Sequence, residues 1–160
     1  ANGEIQNDIL DDLMSHSYIN AFPPKTTGRE EFGQQFVDEL LKKYNNKKPE
    51  DILSTVTMFT AKSIAVNYKN FIMNKVNLNK VIIGGGAHNK TLLSYLKNEL
   101  PNVSIVTHDI GLSSDAKEAI AFVILGNETL NNNFSNVPSA TGAKEKVILG
   151  NITPNPIRRV

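Results

Sequence analysis

One segment, residues 80–100, constrains the fold more than any other because its pattern predicts a strand, a glycine turn and a helix in succession. Residues 81–83 form a short, uninterrupted apolar run, which is typical of a strand buried on both faces. The three glycines at 84–86 remove every side chain from the turn, so another backbone or a flat ligand can come very close. His88 or Asn89 then stands at the N-cap position of a helix whose leucines recur at helical spacing.

The same segment predicts a ligand site. A strand, a glycine turn and a helix N-terminus together suit a nucleotide phosphate; a tight turn without any ligand is the alternative. Residues 103–107 form a second short strand, which makes a βαβ unit with parallel strands and a right-handed crossover. Ligands of such sheets lie just beyond the carboxyl ends of the strands. Residues 84–89 and 108–118 should therefore face one another across one site, which favours the ligand interpretation.

Composition is that of an ordinary globular domain. The 160 residues suffice for one domain with a real core, and 40% of them are hydrophobic and 21% charged. A formal net charge of +1 gives no electrostatic reason to expect nucleic acid or an anionic membrane as a partner. The absence of cysteine excludes disulfide frameworks and thiolate metal sites, and it is compatible with a reducing cytoplasm. No apolar run approaches the roughly 18 residues that a membrane span needs.

Three helices are expected before the glycine turn. Residues 4–15 and 30–44 both show amphipathic helical spacing. Pro49 then occupies a favoured first position of a long helix that runs to about Phe71. This helix is apolar on most sides, which predicts that it is buried between layers.

A further helix is expected after the second strand, from Asp115 to about Leu130. Five of its apolar residues are expected to pack against the core: Ala119, Ile120, Phe122, Val123 and Leu125. A surface loop follows, and the apolar residues at 147–152 are expected to form a last strand.

The loop between the first two helices places Lys25, Thr26, Thr27 and Arg29 close together. Loops held by a scaffold carry function more often than cores do, so a basic side chain aimed at a cleft or a phosphate is one interpretation. The other is helix-start chemistry, in which Thr27 caps the next helix and Glu30 reaches back to complete a capping box. The sequence supports both interpretations.

Asp115 and Glu118 also have two interpretations. As helix-start residues, Asp115 caps the helix and Glu118 completes a capping box. As site residues, the two carboxylates lie beside the expected crevice and accept hydrogen bonds from sugar hydroxyls. The two roles are compatible. The sequence around His88 and His108 lacks the ligand spacing of a metal site, so none is expected from this chain alone.

Five segments match the motifs of one enzyme family in both order and spacing. They are residues 24–32 (PKTTGREEF), 84–89 (GGGAHN), 109–122 (DIGLSSDAKEAIAF), 138–143 (PSATGA) and 149–154 (LGNITP). With these segments the chain resembles the C-terminal part of the anhydro-N-acetylmuramic acid kinases. The set is far more specific than a glycine motif alone.

The resemblance implies a bacterial, cytoplasmic enzyme of peptidoglycan recycling that forms a homodimer. Family members use ATP and Mg²⁺ to phosphorylate O6 of 1,6-anhydro-N-acetylmuramic acid while water opens the anhydro ring, which yields N-acetylmuramic acid 6-phosphate. The implied fold is α/β, of the ribonuclease H-like group that includes actin, hexokinase and the heat-shock ATPases. Residues 1–160 are then a single domain, helix-rich with a short parallel sheet, within the C-terminal lobe of a two-lobed kinase.

The resemblance and the residue pattern together suggest two sets of contacts. Nucleotide contacts are expected at Gly84, Gly85, Gly86 and Asn89. Glu118 and Asp115 are expected to bind the sugar, and Lys25 and Arg29 to make substrate-side or interlobe contacts.

The sequence departs from the family pattern because it lacks the family's N-terminal motifs. The 160 residues hold no counterpart of the family's phosphate loop or of the aspartate expected to activate water. We therefore expect no catalytic residue here, and no turnover by this chain alone, because phosphoryl transfer depends on positioning and charge neutralisation around the γ-phosphate. A start at Ala1-Asn2-Gly3 also suggests a piece of a longer protein. The alternatives are another sugar kinase of this fold, which adds no water, and a non-catalytic nucleotide-binding domain.

Overall fold

The computed structural model describes residues 2–84, 86–107 and 116–153, so Gly85 and Asp115 lie outside the described residues. Within these ranges the elements are α1 (Asn7–Met14), α2 (Ser17–Asn20), α3 (Arg29–Phe32), α4 (Gln34–Lys43), α5 (Pro49–Phe71), β1 (Lys80–Ile82), α6 (Lys90–Glu99), β2 (Ser104–Val106), α7 (Lys117–Leu130) and α8 (Pro138–Thr141). The expected class, helix-rich α/β with a short parallel sheet, is present. None of the described helices is long and apolar enough to cross a membrane.

Helix α5 is the central element of the fold, because both core clusters include its residues. Pro49 occupies its first turn, as expected, and Glu50 and Asp51 place negative charge at the positive end of the helix dipole. One core cluster joins α5 to the elements before it: Ile9, Leu10, Leu13, Ile19, Leu40, Ile52 and Phe59. A second cluster joins it to the elements after it: Ala61, Ala65, Val81, Leu96, Leu100 and Val103. Helix α5 therefore lies between two packed groups, as its sequence predicts.

Small side chains allow α6 to approach α5 closely. Ala61 and Ala65, one helical turn apart, are both fully buried on the face that α6 covers. Leu96 of α6 is also fully buried in this cluster. The fit positions α6, and with it the turn that precedes α6, against the long helix α5.

The βαβ unit has the predicted form, but not the predicted burial. Strands β1 and β2 pair in parallel, with Val81 opposite Ile105. Val81 is buried against α5 and α6, whereas Ile82, on the other face of β1, is 46% exposed. The prediction of a strand buried on both faces is therefore wrong for the described residues, because the helices that cover the sheet lie on one side only.

The predicted helix over residues 30–44 is two helices, which meet at Gly33. The backbone of Gly33 is extended, and a Cβ there would collide with the carbonyl oxygen of Arg29. Thr27 is not the helix cap, since Gly28 occupies the N-cap position of α3 and no side chain bonds to the orphan N–H groups there. The capping-box interpretation of this loop is wrong.

Helix α7 begins at Lys117, with Ala116 at its N-cap, and it is much more exposed than expected. Phe122 and Val123 are each 73% exposed, so the prediction that they pack against the core is wrong, as it is for Ala119. Ile120 and Leu125 are half-buried. The helix is apolar on most sides, and the described part of the chain covers only a narrow strip of it.

Residues 147–152 form no strand within the described part of the chain. The N–H of Val147 donates to the side-chain oxygen of Asn136 at 2.7 Å, and the carbonyl of Leu149 accepts from the Thr129 hydroxyl. Side chains thus bond to two of the backbone groups that a neighbouring strand would use, while the Val147 carbonyl accepts a single bond from the N–H of Ser135. The strand prediction is wrong.

Candidate functional site

The glycine turn is a compact loop between β1 and α6. The N–H of Ala87 donates to the carbonyl of Gly84 at 3.2 Å, and the N–H of Asn89 donates to the carbonyl of Gly86 at 2.9 Å. Gly86 has a φ of +75°, and a Cβ there would lie 3.1 Å from a methyl carbon of Leu92. A side chain at Gly86 would therefore be both strained and crowded, which keeps the turn bare.

Asn89 is the N-cap of α6, as one of the two sequence alternatives predicts. Its side-chain oxygen accepts a hydrogen bond of 3.0 Å from the N–H of Leu92. The first turn of α6 contains no acidic residue, and it opens with Lys90. A lysine at the positive end of a helix dipole is unfavourable, so the charge at this end is left for an anion to compensate.

The start of α7 lies against the glycine turn. The side chain of Lys117 occupies the space over Gly84, and a Cβ built on Gly84 would lie 3.1 Å from the Lys117 ammonium nitrogen. The sequence predicts that residues 84–89 face residues 108–118, and the structure shows this for Gly84 and Lys117. Residues 108–115 lie outside the described residues. Sequence reasoning missed Lys117 itself; its position at the first residue of a helix that follows a strand end was the available signal.

Glu118 lies in the first turn of α7, next to Lys117, and its side chain is exposed. It supplies negative charge at the positive end of α7, where a carboxylate is favourable. An exposed carboxylate beside the turn can also accept hydrogen bonds from hydroxyl groups of a ligand. Its expected companion, Asp115, lies outside the described residues.

Lys25 makes its contacts at another part of the molecule. Its ammonium donates to the carbonyls of Tyr18 and Ile19 at 2.9 and 3.1 Å, and it lies over the rings of Tyr18 and Phe71. Burial among these groups lowers the pKa of Lys25 below its ordinary value. The side chain ties the end of α2 to the end of α5. Arg29 is exposed at the first residue of α3.

Lys25 also lines a groove of about 690 Å³, most of whose lining residues are apolar. The apolar lining comes from α2 to α5 and includes Tyr18, Ile19, Phe32, Phe36, Val37, Val56, Phe59, Ile64 and Tyr68. Asn67 lies on the same wall; its amide nitrogen donates to Ser63 and Ile19, while its buried oxygen has no hydrogen-bond partner among the described residues. The described residues of the glycine turn and of the start of α7 do not line this groove, so the structure does not bring Lys25 together with them in one pocket.

Metal-ligating side chains do not cluster in the described ranges, where no group of three or more His, Cys, Asp or Glu could hold an ion. The described residues around the glycine turn therefore offer no ligand set of their own for a divalent cation. Mg²⁺ commonly binds through phosphate oxygens and water with few protein ligands.

Comparison with known proteins gives one consistent result. The family model for anhydro-N-acetylmuramic acid kinase matches residues 1–155. The chain is 62% identical over 156 residues to the anhydro-N-acetylmuramic acid kinase of Clostridioides difficile (strain 630), covering 96% of this chain and 41% of that protein. Identity to the same enzyme is 53% over 159 residues in Bacillus cereus (strain 03BB102), covering 97% of this chain and 42% of that protein. For Francisella tularensis subsp. novicida (strain U112) it is 52% over 154 residues, covering 95% and 40%. The chain thus spans about two fifths of the length of these relatives.

Proposed function

Because this chain belongs to the anhydro-N-acetylmuramic acid kinase family, we propose that it is the nucleotide-binding part of a longer sugar kinase. The reaction joins the γ-phosphoryl group of ATP to O6 of 1,6-anhydro-N-acetylmuramic acid. Water adds at C1 and the C1–O6 bond breaks, so the products are N-acetylmuramic acid 6-phosphate and ADP. The proposed setting is peptidoglycan recycling in the bacterial cytoplasm, with the full-length enzyme as a homodimer.

One observation carries the nucleotide assignment: a bare glycine turn joins a parallel strand to a capped helix, and the start of a second helix lies against it. Gly84, Gly85 and Gly86 carry no side chains of their own, so the adenosine is proposed to lie against this turn, with the Lys117 side chain at its Gly84 end. The N-terminus of α6 after Asn89 offers N–H groups and a positive dipole end. When bound, ATP with Mg²⁺ supplies the transferable phosphoryl group. The described residues fit the nucleotide through this turn and hold no metal cluster of their own.

The sugar assignments rest on position and charge. Glu118 lies in the first turn of α7, and Asp115 precedes that helix in the sequence; both carboxylates are suited to accept hydrogen bonds from sugar hydroxyls. Lys25 and Arg29 are proposed as substrate-side or interlobe contacts. The position of Lys25 at an apolar groove favours the interlobe role, since a sugar offers little apolar surface to such a groove.

Turnover is proposed to require the rest of the enzyme. No residue of this chain is assigned to activate water or to surround the γ-phosphate, and those functions dominate phosphoryl transfer. The proposed fold is accordingly part of the C-terminal lobe of a two-lobed, ribonuclease H-like kinase.

The test uses the full-length protein with ATP, Mg²⁺ and 1,6-anhydro-N-acetylmuramic acid in ¹⁸O-labelled water, followed by mass spectrometry. We expect a product that has gained one phosphate and one water, with a single ¹⁸O at C1. A product that has gained phosphate but no water would identify a sugar kinase of this fold that phosphorylates its substrate without hydrolysis. An unchanged sugar together with intact ATP would favour a non-catalytic nucleotide-binding domain. A phosphorylated product formed by the 160-residue chain alone would overturn the proposal that the chain is inactive.

A further inference from the structure

The residue that covers the glycine turn from the side of α7 is Lys117. A Cβ built on Gly84 would lie 3.1 Å from its Nζ, 3.4 Å from its Cδ and 3.8 Å from its Cε. The ammonium itself, and not only the alkyl stem, therefore lies in the space where a side chain of residue 84 would stand. Lys117 is otherwise an exposed side chain at the first position of α7, so packing in the core does not explain why it lies there.

Among the described residues, no carboxylate forms an ion pair with this ammonium. The ion pairs of the described residues join His16 to Glu31, Lys43 to Asp12, Lys47 to Asp8 and Lys69 to Glu99, and none involves Lys117. Glu118 is adjacent in sequence, and consecutive residues of a helix do not face each other. Lys117 has three N–H donors on a compact, strongly hydrated cation, which suits a phosphate oxygen.

The other side of the turn adds positive charge rather than removing it. Helix α6 begins there with Lys90, its first turn holds no acidic residue, and its dipole presents a positive end. Lysines at the first positions of both α6 and α7 are locally unfavourable for those helices. A bound anion at the turn would compensate both.

We propose that Lys117 donates a hydrogen bond to a phosphate of the nucleotide that lies on the glycine turn. The inference rests on the proposed function, because it assigns a further binding residue to the same nucleotide site. Lys117 acts by charge and hydrogen bonding to the bound nucleotide, and the adenosine part is recognised separately by the glycine backbone.

The experiment measures the affinity of the full-length protein for ATP, ADP and adenosine by titration calorimetry. It compares the wild type with Lys117→Gln, which keeps a side chain of similar length without the charge. Lys144→Gln is the matched control, because Lys144 is an exposed lysine in the loop after α8. Since charge-assisted hydrogen bonds are the strong ones, we expect Lys117→Gln to weaken ATP and ADP binding about tenfold. Adenosine affinity should stay within about twofold, and Lys144→Gln should change none of the three.

The outcomes separate the inference from the proposed function. Equal ATP affinity in the wild type and in Lys117→Gln would overturn the role of Lys117 and leave the nucleotide site intact. An equal loss for adenosine and ATP would place Lys117 against the nucleoside, which also overturns the phosphate contact. A wild-type protein that binds none of the three compounds would overturn the proposed nucleotide site itself.

Discussion

The hydroxyl oxygens of Ser54 and Tyr95 lie 2.9 Å apart and join α5 to α6, the helix that follows the glycine turn. Ser54 is only 1% exposed, so water cannot replace the Tyr95 hydroxyl as a hydrogen-bond partner of its side chain. A buried polar pair of this kind holds one helix in a defined position on the other. The contact therefore bears on both stability and the placement of the turn.

Tyr95→Phe should lower the free energy of unfolding by about 1–2 kcal/mol, because it leaves the Ser54 hydroxyl buried without its partner. Ser54→Ala should cost a similar amount. The double variant should cost less than the sum of the two, since the same bond is lost in each. Urea denaturation of the four proteins measures these values. Tyr68→Phe is the control, because the Tyr68 hydroxyl has no hydrogen-bond partner among the described residues; strictly additive losses would contradict the coupling.

Gly86→Ala should destabilise the protein by about 1–3 kcal/mol, because Gly86 has a φ of +75° that an alanine adopts only with strain. It should also weaken nucleotide binding, since the turn must shift to relieve the contact with Leu92. Gly126→Ala is the matched control. Gly126 lies inside α7 with no atom within 4 Å of a new Cβ, so alanine there should stabilise by about 0.5–1 kcal/mol. Thermal melts that shift in the same direction for both variants would contradict this reasoning.

Two apolar residues should respond oppositely to truncation. Leu96 is fully buried between α5 and α6, so Leu96→Ala should cost about 2–5 kcal/mol of unfolding free energy. Phe122 is 73% exposed on α7, so Phe122→Ala should cost less than about 1 kcal/mol in this chain despite the larger side chain. Denaturant midpoints of the two variants measure the difference. A loss at Phe122 as large as that at Leu96 would show that α7 is covered.

The stability of the chain should fall at acid pH partly through Asp12. A hydrogen bond of 2.7 Å from the Lys43 ammonium, with a second from the Tyr44 hydroxyl, holds the pKa of Asp12 below its ordinary 3.8. Because the pKa is lower in the folded state, the contribution is complete above the unfolded pKa and is lost as pH falls through the folded pKa. The side chain is 39% exposed, so solvent screening limits the contribution to less than about 1 kcal/mol.

Asp12→Asn tests this window. The variant should be less stable than the wild type at pH 7, and the difference should shrink as the pH falls below 3.8 and through the lower folded-state pKa of Asp12. Asp11→Asn, an exposed position of the same helix, is the control and should follow the wild-type curve. A difference between Asp12→Asn and wild type that persists unchanged at pH 2 would show that the Asp12 carboxylate contributes through packing and not through its charge.

Much of the local structure could be predicted because its causes lie within a few residues. The N-cap role of Asn89, the start of α5 at Pro49 and the parallel pairing of β1 with β2 all follow from side chains near the feature itself. Gly33 shows where such reasoning ends. The residues on both sides of Gly33 continue an amphipathic pattern, yet the backbone turns at Gly33. The carbonyl of Arg29 then occupies the space that a Cβ of residue 33 would need. The amphipathic spacing of residues 30–44 is the same for one continuous helix as for the two helices α3 and α4, so the spacing alone could not distinguish them.

The site was predictable in part for the same reason. The glycine turn and its capped helix are local features. The strand-end rule for parallel sheets added that the segment leading into α7 should face the turn, without indicating which side chain lies over it. Lys25 was a weaker prediction, because a basic loop residue can bind a ligand or a nearby backbone carbonyl with similar chemistry. In the folded chain it binds the carbonyls that end α2.

By itself, the sequence determined the strand, the bare turn, the helix cap and the family to which these belong, since each depends on residues that adjoin in the chain. Only the tertiary structure decided that Lys117 lies over Gly84 and that Phe122 is left exposed. These outcomes depend on how separate elements dock, and docking is governed by the total apolar area and shape that meet rather than by any one segment. A helix that is apolar on most sides, as α7 is, carries little local signal of which side will be covered.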